Sequence, residues 1–84
     1  MDADSRGWVY VSDWMQQRVT VLSSDGRVLR RLGRSGAGPG EFRRLCGVQV
    51  LPGDSVLACD PELARLTVFQ PESLGVARMG WTAR

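Results

Sequence analysis

Short runs of about five residues, alternating or wholly apolar, are separated by clusters of Gly, Pro, Asp and Ser along this chain. Trp8-Val-Tyr-Val-Ser12 is apolar on both faces and rich in β-formers, which predicts a strand covered on both sides. Arg18-Val-Thr-Val-Leu22 alternates with a period of two, and Ser24-Asp25-Gly26 is a tight-turn signal. Arg27 to Leu32 reads as a third strand with more charge. Gly47-Val-Gln-Val-Leu51 follows and is closed by Pro52-Gly53-Asp54. Val56–Cys59, Arg65–Phe69 and Val76–Met79 complete the set, with Pro71-Glu72-Ser73 as the last turn. No segment sustains a helical period, so the pattern predicts an all-β chain of seven strands.

The pattern is written twice. Trp8 to Gly33 aligns without a gap on Ser55 to Gly80, an offset of 47 residues. Val9/Val56, Asp13/Asp60, Arg18/Arg65, Thr20/Thr67, Val21/Val68, Arg31/Arg78 and Gly33/Gly80 are identical. Tyr10/Leu57, Val19/Leu66, Leu22/Phe69 and Leu32/Met79 keep apolar character. Four short antiparallel strands in a unit of this length is the arithmetic of a β-propeller blade. A parallel β-helix has shorter coils and lacks hairpin turns such as Pro52-Gly53-Asp54. The expected fold is therefore propeller blades of four-stranded antiparallel sheets, about one and three-quarter blades in all. Residues 1–33 form a first blade with strands B, C and D, its inner strand missing and Met1-Asp2-Ala3 only its tail. Residues 34–46 are a linker, 47–80 a second blade with strands A to D, and 81–84 the start of a further linker. Within each blade the outermost strand is an edge, where charge is tolerated; Arg27, Arg30, Arg31 and Arg78 fall there.

The order and spacing of several motifs resemble NHL-type repeats, and more closely the bacterial six-bladed β-propeller proteins. The carriers are Gly7-x-Val9-x-Val11-x-Asp13, Arg18-Val-Thr-Val-Leu22, Asp25-Gly26, Leu32-Gly33 and Gly36-Ala-Gly-Pro-Gly-Glu-Phe42. Leu51-Pro-Gly-Asp-Ser55 and Asp60-Pro61 with Arg65-Leu-Thr-Val-Phe69 extend the likeness over nearly the whole chain. Gln16 and Leu63 stand where that family often has Asn. The resemblance implies a segment of a larger six-bladed propeller serving as a ligand- or protein-binding scaffold. It also implies an extracytoplasmic bacterial setting. The alternative it leaves open is a propeller lyase or hydrolase whose catalytic or metal residues lie on other blades. A ring of six such blades needs roughly 250 residues, so the remaining blades, in the same polypeptide, are the expected partners; a protein, peptide or glycan ligand is compatible with the fold.

Composition narrows the chemistry. The chain has 84 residues, 43% hydrophobic and 24% charged, which suits a globular domain. Its N-terminus, MDADSRG, is acidic and polar and does not read as a signal peptide. No apolar run reaches the ~18 residues of a membrane span. There is no His, which removes Ser-His-Asp and Cys-His nucleophile pairs and the commonest metal ligand from this stretch. No catalytic residue, cofactor or metal site is predicted. The net charge of +2 is too small to argue for nucleic acid. Arg27, Arg30, Arg31, Arg34, Arg43 and Arg44 are opposed locally only by Glu41, but Arg30 and Arg31 point to opposite faces of one strand.

Four features carry candidate roles. Trp14, Met15, Gln16 and Gln17 fill the loop between the second and third strands of the first blade, the face on which propellers recognise ligands; with Arg34, Arg43 and Arg44 they form the candidate binding surface. Trp14 is either an exposed recognition residue or a packing residue over the linker near Phe42. Asp13 with Arg18, and Asp60 with Arg65, recur in both blades. That recurrence favours a structural role, the carboxylate accepting backbone N–H groups with the Arg pairing nearby, over a metal-holding ring. Gly36 to Phe42 lacks the Lys-Ser/Thr of a phosphate loop, so its glycines are expected to permit a crossover between blades with Phe42 as an apolar staple. Cys46 and Cys59 flank a hairpin in which facing residues sum to about 106. They are one step off register and on opposite faces, which predicts two buried free thiols, with a disulfide as the alternative.

Overall fold

The computed structural model describes residues 1–70 and the backbone of residues 76–82. Among the described residues the strands form two four-stranded antiparallel sheets, each a meander in sequence order. The first comprises β1 (Asp2–Ala3), β2 (Val9–Asp13), β3 (Arg18–Leu22) and β4 (Val28–Leu32). The second comprises β5 (Gly47–Val50), β6 (Val56–Asp60), β7 (Arg65–Phe69) and β8 (Val76–Thr82). The expected all-β propeller blades are present. The expectation of a missing inner strand is corrected, because Asp2 pairs with Tyr10 and Ala3 with Val9. A two-residue strand occupies that place, too short and too polar to show in the hydrophobic pattern. The turn expected at Pro71-Glu72-Ser73 lies outside the described residues.

The sequence repeat is a structural repeat down to its irregularities. Gly7 and Asp54, related by the offset of 47, both have positive φ, as do Gln17 and Ala64. The turn entering β2 is closed by Asp4 N–H to the Trp8 carbonyl at 2.9 Å and Gly7 N–H to the Asp4 carbonyl at 3.0 Å. The turn entering β6 repeats it with Leu51 to Ser55 at 2.7 Å and Asp54 to Leu51 at 2.9 Å. Register slips between Val21 and Leu22 in β3, and between Val68 and Phe69 in β7, the same repeat position. Such bulges raise local twist where the outermost strand begins.

The core lies between the sheets. Tyr10, Val19 and Val21 from the first sheet meet Val56, Ala58 and Phe69 from the second, with Leu32, Phe42 and Leu45 closing the cluster. Phe42 is fully buried and tilts against Phe69 at 6.3 Å between ring centroids, so it does staple the two sheets. Gly33 makes room for it: a side chain there would meet the Phe42 ring at 2.6 Å, and the φ of +89° already favours glycine.

The cysteines depart from the free-thiol expectation. Cys46 and Cys59 form a disulfide with a Cα–Cα distance of 5.5 Å. The register itself is as read: Gly47 faces Cys59, Val48 faces Ala58 and Val50 faces Val56. Cys46 precedes β5, so the pleat no longer dictates which side its Cβ takes. Its N–H still donates to the Cys59 carbonyl at 3.0 Å, which holds the two residues side by side.

Candidate functional site

Asp60 ends β6 and Arg65 begins β7, paired across the ladder. Between them the chain turns through Ala64, held at a φ of +54°. Asp60 is 2% exposed, and its carboxylate accepts three backbone N–H groups. Leu63 donates to Oδ1 at 3.0 Å, closing the turn. Arg43 and Arg44 donate to Oδ2 at 2.7 and 3.2 Å, and these come from the linker. Burial raises the carboxyl pKa, but the N–H donors from Leu63, Arg43 and Arg44 outweigh it and hold the group below the usual carboxylate range. The expected pairing of Arg65 with Asp60 is corrected. Its guanidinium reaches the linker carbonyls instead, Ala37 at 3.0 Å, Glu41 at 2.8 Å, and Gly38. Together the two side chains grip the 34–46 segment by its N–H groups and by its C=O groups.

Asp13 and Arg18 occupy the same two positions in the first sheet. Gln16 N–H donates to Asp13 Oδ1 at 3.1 Å, so the turn-closing bond is conserved between the repeats. The second oxygen differs. Its nearest partner is Arg18 Nε at 3.8 Å, and the Asp13 side chain is 32% exposed. Neither Arg18 Nε nor Arg65 Nε has a hydrogen-bond partner among the described residues.

The remaining residues of the candidate loop divide. Trp14 is 67% exposed and Met15 75%, so Trp14 does not pack over the linker near Phe42. Both border an open groove of ≈ 370 Å³ whose floor is Val11, Asp13, Thr20 and Leu22. Gln16 is exposed. Gln17 is a positioning residue: its Oε1 accepts Leu45 N–H at 2.8 Å, and its amide nitrogen donates to the Trp14 carbonyl. The loop and the linker are therefore tied at one end of the sheets. Arg34, Arg43 and Arg44 are all exposed there, and Arg34 Nε pairs with Glu41 at 2.7 Å. Arg30 stands opposite Val21 and Arg31 opposite Thr20, on opposite faces of β4.

A buried polar cluster that the hydrophobic pattern does not signal lies at the other end of the first sheet. Asp4 accepts Tyr10 O–H at 2.9 Å, Arg6 side-chain donors at 2.6 and 3.1 Å, and the Arg6 and Trp8 backbone N–H groups at 2.9 and 3.1 Å. The Arg6 guanidinium carbon lies 3.7 Å from the centre of the Trp8 ring, a cation–π contact. Burial, then the hydrogen bond to Asp4, pushes the Tyr10 hydroxyl up to about 12. The signal lay in the repeat alignment: Asp4 and Tyr10 stand where the second unit has Leu51 and Leu57. A hydrogen-bonded pair has replaced an apolar one.

A family model described as a 6-bladed beta-propeller matches residues 3–72. No curated protein matches the chain.

Proposed function

This chain belongs to the six-bladed β-propeller family DUF5128, and from that premise we propose that its two sheets are neighbouring blades of one ring that serves as a binding scaffold. One observation carries the reading: the interface between the sheets is head-to-tail. The buried face of the first sheet presents Tyr10, Val19 and Val21. Their repeat counterparts, Leu57, Leu66 and Val68, lie on the face of the second sheet turned away from the core. The buried face of the second sheet presents Val56, Ala58, Thr67 and Phe69. Their counterparts, Val9, Val11, Thr20 and Leu22, lie on the first sheet's outer face. Each outer face thus repeats the chemistry that is buried on the other sheet. An interface of this kind propagates until the rotation closes a ring. The remaining blades, placed in the same polypeptide, would cover both faces.

Recognition is assigned to the end where the Trp14–Gln17 loop and the linker emerge, through Trp14 with Arg34, Arg43 and Arg44 as a polar rim. The ordered motifs from Gly7 to Phe69 support kinship with NHL-type repeats. The Cys46–Cys59 disulfide supports an oxidising, extracytoplasmic setting. An enzymatic reading gains nothing from Asp60, whose carboxylate is taken up by backbone donors. Electron microscopy of the protein tests the proposal. Six-fold rings are expected, and an open sheet stack or a closed two-sheet particle overturns it. Peptide and glycan arrays probed with the wild type and Trp14→Ala then test the recognition face, where the substitution should abolish signal.

A further inference from the structure

We infer that Asp13 and Arg18 form a docking site for a second glycine-rich linker of the Gly-Ala-Gly-Pro-Gly-Glu-Phe kind, arriving from a preceding blade. The inference rests on the ring reading for the source of the linker, and on the second sheet for its chemistry. There the equivalent pair, Asp60 and Arg65, is seen holding such a segment. Asp60 Oδ2 takes two consecutive N–H groups from Arg43 and Arg44. The Arg65 guanidinium takes carbonyls from Ala37, Gly38 and Glu41. All of these linker contacts are made by backbone atoms, so the site reads the curvature of a glycine-rich turn and not its side chains.

The first sheet has the same apparatus at the same spacing. Asp13↔Arg18 is the same ladder pair as Asp60↔Arg65. Asp13 Oδ1 is engaged by Gln16 N–H as Asp60 Oδ1 is by Leu63. Asp13 Oδ2, whose counterpart binds the linker, accepts no hydrogen bond among the described residues, and its side chain is about one-third accessible where that of Asp60 is buried. The neighbouring surface agrees. Glu62 in the second sheet lines the groove shared with Ser35, Gly36, Phe42 and Arg43 of its linker. Its counterpart in the first sheet is Met15, exposed at the rim of the groove over Val11 and Leu22. A docked linker would cover that apolar side chain and seat its own Phe on the outer face. No cross-link would accompany it, because Ser12 stands where the second sheet has Cys59.

The test places the linker in register. Met1 is the repeat counterpart of Val48, so a copy of residues 34–47 fused ahead of Met1, with its Cys replaced by Ser, sets the copied Arg43 and Arg44 amides at Asp13. Amide hydrogen exchange compares the copied and original linkers within one molecule. The copied Arg43 and Arg44 amides should exchange roughly tenfold or more slower than in the same extension carrying Asp13→Asn. Residues 34–46 should stay protected in both. A copy that exchanges as free peptide while the original linker is protected overturns the inference. Should Asp13→Asn also expose the original linker, Arg18→Gln in the extended chain decides. Release of the copy alone supports the site, and continued protection of the copy overturns it. Six-fold rings are not needed for this result, so its failure is separable from failure of the ring reading.

Discussion

Replacing Asp60 by Ala removes the acceptor of three backbone N–H groups from a position that is 2% exposed. A hydrogen bond to a charged group contributes about 1.5–3 kcal/mol when its partner is left unsatisfied. Arg43 and Arg44 are themselves exposed, so water can reach their N–H groups once the carboxylate is gone. Leu63 is half-buried and recovers less. The expected loss is therefore about 2–4 kcal/mol, below the sum of three full contributions. A domain of 84 residues has only about 4–13 kcal/mol of stability in total, so the change should be large in urea denaturation followed by circular dichroism. The matched control is Asp13→Ala, which loses one N–H bond and a loose contact to Arg18 at 3.8 Å; about 1 kcal/mol or less is expected. The pH dependence has a definite sign. Asp60 is held below the usual carboxylate range, so its contribution is complete above the unfolded value of about 4 and is lost as pH falls through the lower folded value. The difference between wild type and Asp60→Ala should shrink on acidification. Equal losses for Asp13→Ala and Asp60→Ala, or a difference that grows in acid, would refute the assignment of Asp60 as the anchor of the linker.

Reducing the Cys46–Cys59 disulfide frees a loop with a sequence separation of 13 and should cost about 3 kcal/mol, read as a lower urea midpoint with reductant. Trp14→Ala should change the midpoint of this chain by less than about 0.5 kcal/mol, since the side chain is 67% exposed; a larger loss means that it packs. Tyr10→Phe should cost about 1–2 kcal/mol by removing the hydroxyl from Asp4. Spectrophotometric titration of Tyr10 should give a value near 12, with its contribution to stability complete below about pH 10 and lost as pH rises towards 12; a titration near 10 contradicts the buried pair.

Most of the sheet architecture was open to reading because it is set by local rules. The apolar run at β2, the period-two alternation at β3 and their repetition in β6 and β7 place these strands within a residue, and Pro52-Gly53-Asp54 dictates the register across β5 and β6. The stub β1 carries no apolar alternation, so nothing in the pattern announced it. The disulfide is hidden from face alternation because Cys46 stands one residue outside the strand where that rule operates. The recurrence of Asp and Arg points to a per-blade structural role, and Asp60 accepts three backbone N–H groups. The true partner of Arg65 lies 24 to 28 residues away in the linker, a distance at which spacing says nothing. Asp4 was legible only by comparison, as the polar member of a pair that is Leu51 and Leu57 in the second unit.

The disulfide also decides how this fold answers mechanical load. It encloses the β5–β6 hairpin, from the residue before β5 to the fourth residue of β6. Tension applied through the chain passes across the sulfur bridge and bypasses the hairpin. A stretch of 13 residues is thus withheld from extension, about 45 Å of contour at full stretch. In single-molecule pulling, the first sheet can unzip completely, whereas the second releases only its outer strands until the bridge is reduced. Under force the molecule would then open from its unbridged sheet, leaving the bridged hairpin as the last template on which the other strands can refold.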